Sequence, residues 1–223
     1  MNALLPKIIG NYLNAMFRIA PKKATELAFE LFSKPRKGFL HPNSLPKILK
    51  SSKVDYLTFN QITFPVYQWK RGSEHVLLVH GWESNAARWE PFINLLLEHN
   101  FSVTCFDGPA HGMANGKLFS IPEMASFIKI IQDIYEIPYL IGHSVGGTAS
   151  IYYQHLYKDE GLKKMSVLGA PSDLEKLIDN FQKLLGLHPK MEILLIQYFE
   201  EKLKGRVSDF SGKRFVKDFQ LPG

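Results

Sequence analysis

The segment Gly142-His143-Ser144-Val145-Gly146 follows directly on the apolar run Ile137-Pro138-Tyr139-Leu140-Ile141 and precedes a helix-compatible stretch beginning near Thr148. A short buried strand therefore turns at a serine into a helix. So sharp a turn lifts the hydroxyl of Ser144 above the sheet edge, and glycines two residues before and after it relieve the crowding around it. A serine held this way is a candidate nucleophile. It also needs a base, and the sequence beyond it holds only two histidines, His155 and His188.

With 223 residues, 45 % of them hydrophobic and 22 % charged, the chain has enough apolar material for one sizeable core. Cys105 is the single cysteine, so no disulfide framework exists, and the residue reads as a small core side chain. The apolar runs fall short of the length of a membrane span, and Lys7, Asn11, Asn14 and Arg18 interrupt the first segment where a secretory signal would be unbroken. A cytoplasmic location is the expectation, with membrane association as an added option.

The net charge of +6 is unevenly placed. Residues 1–53 carry ten Lys or Arg against Glu26 and Glu30, whereas the remaining 170 residues carry 17 basic and 19 acidic side chains. The basic excess thus belongs to the N-terminal segment, which argues against a nucleic-acid groove in the body of the protein. In that segment Leu4, Leu5, Ile8, Ile9, Tyr12, Leu13, Met16, Phe17 and Ala20 form a stripe at helical spacing that Pro21 ends. A second helix is expected over Lys22 to Phe32, and Pro35, Pro42 and Pro46 mark a linker. Two readings stay open: a helical pair packed on the protein or a partner subunit, and a basic amphipathic contact of residues 1–20 with an anionic membrane surface.

From residue 54 the period changes. Val54–Phe59 and Thr63–Trp69 read as paired strands, and Pro65 favours an edge position for the second. Val76–Val79 is a short strand apolar on both faces, and Ala86 to His99 a helix. Phe101–Phe106 is the next strand, and Ser120-Ile121-Pro122-Glu123 starts a capped helix that runs to about Tyr135. The strand before Ser144, its helix, and the strand Met165–Gly169 follow, after which residues 173–218 read as helical. Strands alternating with helices predict an α/β architecture with a mostly parallel central sheet covered on both faces.

Functional groups of such sheets gather at the carboxyl ends of the strands. Three motifs fall there: His80-Gly81-Trp82, Asp107-Gly108-Pro109-Ala110-His111-Gly112, and the Ser144 turn. In this order and spacing they resemble the α/β-hydrolase superfamily, in its esterase- and lipase-like branch, over roughly residues 54–223. The resemblance implies two regions. Residues 1–53 would be a basic helical segment and linker. Residues 54–223 would be a hydrolase domain whose helices at 173–218 form a lid-like insertion after strand six. It further implies that strands seven and eight are missing and that the chain is cut short.

The roles implied are those of a serine hydrolase. Ser144 matches the nucleophile, and the backbone N–H groups of Trp82 and Val145 match an oxyanion hole. His80, Gly81, Asp107, His111, Gly142, His143 and Gly146 are expected to support the site rather than move protons. Trp82 could also line an acyl pocket, and Trp89 is expected to anchor its helix. His155 falls about three turns down the helix after Ser144, more than ~15 Å from the hydroxyl, too far to be the base. His188 sits among the lid-like helices, and Asp173 matches an alternative acid position of the superfamily but reads first as the N-cap of a helix beginning at Leu174. The expected activity is ester hydrolysis on a small molecule through an acyl-enzyme, weak or absent without a recognisable acid and histidine. Acyl transfer to another acceptor, or a non-catalytic binding role on the same scaffold, remains open. No metal, organic cofactor or nucleic acid is implied.

Overall fold

The computed structural model describes residues 4–219 and residue 221. Two helices open the chain, α1 (Leu4–Ile19) and α2 (Pro21–Ser33), followed by the single turn α3 (Lys47–Lys50) and the strands β1 (Lys53–Phe59), β2 (Ile62–Trp69) and β3 (His75–Val79). Then come α4 (Glu90–Glu98), β4 (Ser102–Phe106), α5 (Ile121–Tyr135), β5 (Tyr139–His143), α6 (Val145–Tyr157) and β6 (Lys164–Leu168). The helices α7 (Leu174–Leu185) and α8 (Pro189–Leu203) follow. No helix among the described residues is long and apolar enough to cross a membrane.

The six strands form one sheet in the order β1-β2-β4-β3-β5-β6. β1 runs antiparallel to β2, and β2 to β4, while β3, β4, β5 and β6 are mutually parallel. Alternation along each strand builds two cores from one sheet. Leu77 and Val79 of β3 join Phe64, Phe106, Phe127 and Tyr153 beneath α5 and α6. Val76 and Leu78 of the same strand join Tyr67, Trp69, Cys105 and Ile93 beneath α4. This two-sided burial is why β3 is apolar at consecutive positions. Leu77 is fully buried, and its truncation to alanine is worth about 2–5 kcal/mol.

β2 is not an edge strand, contrary to what Pro65 suggests. It lies between β1 and β4, and β1 takes the edge. The ladder with β4 begins one residue later, at Val66 opposite Phe106. The Pro65 carbonyl accepts the N–H of Asp107 at 3.3 Å. Carbonyl and amide of one strand residue point the same way, so the missing N–H of Pro65 falls opposite Asp107, just past the end of β4, and costs no bond within the ladder that starts at Val66.

Contacts divide the chain into two compact units. One contains residues 35–171 with 215–223, and the other residues 1–34 with 172–214. The N-terminal helices therefore share a unit with α7 and α8 instead of forming a segment of their own that ends at residue 53. The physical reason is a common apolar core: Leu13 of α1 and Ala24 and Ala28 of α2 pack with Ile178, Met191, Leu195 and Phe199. Backbone contact is close enough that a Cβ on Gly10 would lie 1.6 Å from the carbonyl oxygen of Leu185.

Candidate active site

Ser144 stands between the end of β5 and the first turn of α6 with φ 53° and ψ −131°. A non-glycine residue rarely adopts this backbone, at a cost of order 1–3 kcal/mol, and it persists only where the surroundings over-determine it. Here they do. The Ser144 N–H donates to the carbonyl of Leu168 in β6 at 2.9 Å, and the Ser144 carbonyl accepts from Gly147 and Thr148 as α6 begins. Gly142 lies within β5, opposite Val79 on one side and Val167 on the other.

Two glycines allow the elements to close around this turn. A Cβ on Gly146 would lie 2.1 Å from the carbonyl oxygen of His80, and one on Gly81 would lie 2.8 Å from the Cβ of Ser144. The start of α6 therefore rests directly on the end of β3, with the loop carrying Trp82 beside the serine. The backbone N–H groups of Trp82 and Val145 donate to no acceptor among the described residues. The Ser144 N–H, by contrast, is already committed to the sheet.

Asp107, His80 and His111 are buried and saturated by structural bonds. The Asp107 carboxylate accepts from the Tyr67 hydroxyl at 3.0 Å, from the Ala86 N–H at 2.9 Å and from the Met113 N–H at 2.9 Å. Burial pushes its pKa up to about 6, against the pull of those three donors. His80 donates from Nδ1 to the carbonyl of Gly81 and accepts at Nε2 from the N–H of Gly108, both at 2.8 Å. His111 donates from Nδ1 to the carbonyl of Pro109 at 2.8 Å and accepts at Nε2 from Glu83 N–H at 3.0 Å. Each ring is therefore a neutral Nδ1–H tautomer. Burial, then the neighbouring His111, lowers the pKa of His80 to about 3, and burial also lowers that of His111.

Trp82, His111 and Phe119 meet edge to face, with ring centroids 5.5 to 5.6 Å apart. Phe119 was not singled out from the sequence. Its position immediately before the capping Ser120 is the one where an apolar residue staples a helix start, and that was the available signal. The cap itself forms, with Ser120 Oγ accepting from Glu123 N–H at 3.3 Å. Tyr67, which holds Asp107, was also missed, because only the register of β2 on β4 brings it there.

His143 turns its Nδ1 toward Gly81, whose added Cβ would approach it to 3.2 Å. That nitrogen and Trp89 Nε1 are buried without a hydrogen-bond partner among the described residues, and the two rings pack edge to face at 6.4 Å. Burial lowers the pKa of His143. His155 lies within α6 against Phe215, 5.0 Å between centroids. All eight histidines lie among the described residues, and none of them hydrogen-bonds the Ser144 hydroxyl.

His188 and Asp173 lie in the unit built from residues 1–34 and 172–214. His188 caps α8, its Nδ1 accepting from Lys190 N–H at 3.2 Å. Asp173 holds the N-cap position of α7 but makes no side-chain cap bond. Its carboxylate instead accepts from Ser172 Oγ at 2.7 Å, and the residue forms an antiparallel bridge with Ser211, which draws the side chain away from the helix N–H groups. Among the described residues, no three His, Cys, Asp or Glu side chains group closely enough to hold a metal ion.

A serine on a strained strand-to-helix turn at the carboxyl edge of a parallel sheet, with one N–H group on the loop after β3 and one at the start of α6 that meet no acceptor among the described residues, defines a class of site. A family model described as the alpha/beta hydrolase fold matches residues 74–211. The chain belongs to this family. A putative chloroplastic methylesterase 11 of Arabidopsis thaliana is 30 % identical over 104 residues, a match that spans 44 % of this chain and 27 % of that relative. An esterase of Pyrococcus furiosus has a similar structure, with a TM-score of 0.58 at 20 % identity over 85 % of this chain and 75 % of its own. An epoxide hydrolase of Vigna radiata gives a TM-score of 0.52 at 19 % identity over 62 % of this chain and 47 % of its own.

Proposed function

We propose that the chain is a serine hydrolase acting on small-molecule esters, with Ser144 as nucleophile and the N–H groups of Trp82 and Val145 as the oxyanion hole. The observation that carries this reading is the backbone of Ser144, at φ 53° and ψ −131° on the turn from β5 to α6. Strain of that kind is kept where it presents a side chain for chemistry. The methylesterase relative and the esterase neighbour favour ester substrates.

In the proposed reaction Oγ of Ser144 attacks the ester carbonyl carbon, the hydroxyl proton passes to a base, and the carbonyl oxygen becomes an oxyanion. The amides of Trp82 and Val145, together with the positive end of the α6 dipole, stabilise that charge, each donor being worth about 3 kcal/mol in the transition state. Collapse expels the alcohol and leaves the acyl-serine ester, which water then cleaves. His80 and His111 hold the loops around this centre. Both have their two ring nitrogens engaged and are not the base.

A second reading follows from the same fact. Because no histidine bonds to Ser144, the chain can serve as a binding protein on a hydrolase scaffold, with the serine silent. Loss of the histidine of a serine protease lowers the rate by about 10⁶. Fluorophosphonate labelling of the purified chain, with S144A as control, tests the two. Ser144-dependent labelling supports the hydrolase, and a well-folded protein that labels no faster than S144A supports the scaffold.

A further inference from the structure

Helix α1 is apolar around most of its circumference, yet only one side of it is covered. The covered side carries Gly10 and Leu13, with Ile9, Met16 and Phe17 half-buried in the core shared with α7 and α8. At 100° per residue the adjoining face, turned about 110° from the covered one, carries Leu5, Ile8, Tyr12 and Ile19, which are 62, 54, 61 and 89 % exposed, with Leu4 at 65 % beside them. The helix cannot roll to hide this face. Gly10 is wedged against the Leu185 carbonyl. The Asn14 amide is also fixed, donating to the carbonyl of Gly186 and accepting from His188 N–H, both at 2.8 Å.

The charges that α1 itself carries have one sign. α1 contains Lys7 and Arg18 and no carboxylate, and Lys22 and Lys23 open α2 just beyond it. None of these four cations forms an ion pair among the described residues. The two carboxylates of α2, Glu26 and Glu30, lie further along that helix. We infer that the outer face of α1 docks on an anionic lipid surface, with Leu5, Ile8, Tyr12 and Ile19 in the acyl boundary and the cations at the headgroups. A second copy of the chain is the poorer occupant, since pairing two such faces brings the same unpaired cations together. The inference does not depend on the chemistry of Ser144.

Vesicle flotation of the full chain tests it, using phosphatidylcholine alone and phosphatidylcholine mixed equally with phosphatidylglycerol. Binding is expected only to the anionic vesicles and is expected to weaken as salt rises. K7Q/R18Q should lower the partition coefficient roughly fivefold for each cation removed, and I8S/Y12S should reduce binding to background. All four sites are exposed, and far-UV circular dichroism checks that both variants keep the fold. Equal binding by I8S/Y12S and the parent chain, equal binding to both vesicle types, or no binding to either overturns the inference. So does a dimer in sedimentation velocity that I8S/Y12S dissolves while vesicles bind neither protein, which would assign the face to a second copy.

Discussion

The N–H of Ser144 donates to the carbonyl of Leu168 at 2.9 Å, so the last residue of β6 pins the strained turn at the end of β5. The bond uses up the amide of the serine itself. It leaves the next amide, that of Val145, without an acceptor among the described residues where α6 begins.

Strain at this turn is a stability cost that glycine would relieve. Ser144→Gly should raise the free energy of unfolding by about 1 kcal/mol, the relief of a rare backbone conformation less the added entropy of a glycine in the unfolded chain. Urea denaturation of the two proteins measures it. A variant less stable than the parent would show that the turn is not strained.

The contact of α6 with β3 tolerates no side chain at Gly146, because an added Cβ would sit 2.1 Å from the His80 carbonyl oxygen. Gly146→Ala should therefore cost about 3 kcal/mol or more, at the upper end of overpacking. Gly205→Ala is the control, since its Cβ would meet nothing nearer than 4.0 Å, and it should change stability by less than about 1 kcal/mol. Thermal melts that give the two variants the same midpoint would refute the close approach.

Removing Asp107 orphans three buried donors at once, those of Tyr67, Ala86 and Met113. Asp107→Ala should cost about 3–5 kcal/mol, whereas Tyr67→Phe removes a single bond and should cost about 1 kcal/mol. Chemical denaturation ranks them. Equal costs would mean that the carboxylate does not organise the two loops.

The buried histidines set the acid limit of stability. His80 has a folded pKa near 3 against an ordinary 6.5, so below the ordinary value the unfolded chain binds a proton that the folded chain refuses. Stability is unaffected above pH 6.5 and is lost as pH falls toward 3, by about 1.4 kcal/mol per pH unit for each such group. His111 and His75, both lowered by burial, act in the same direction. Asp107 opposes them: its pKa of about 6 exceeds the ordinary 3.8, so between those values unfolding releases its proton. Urea midpoints should stay level from pH 7 to 8 and decline below 6.5. His80→Asn should remove about one proton of the uptake on unfolding at pH 5, and an unchanged slope would contradict the assignment.

If Ser144 lacks only a base, a soluble one should serve in part. Added imidazole should accelerate fluorophosphonate labelling of the parent chain and leave S144A unlabelled. Labelling indifferent to imidazole would favour the silent scaffold.

Local patterns determined a good deal of this protein. The strand, turn and helix around Ser144, the capped start of α5 and the apolar run of β3 were legible because each depends on residues adjacent in the chain. So was the family, from three motifs at successive strand ends. Tertiary structure alone decided what rests on the approach of distant segments. The edge position passed to β1 because the ladder of β2 with β4 starts past Pro65. Tyr67 reached Asp107, forty residues away, through strand register. The stripe of α1 was visible as a stripe, but which half of it met water was settled by Gly10 against Leu185 and by Asn14 at the turn before α8. Periodicity reports that a helix is apolar. Only the packing of other segments against it determines which of its faces stays open.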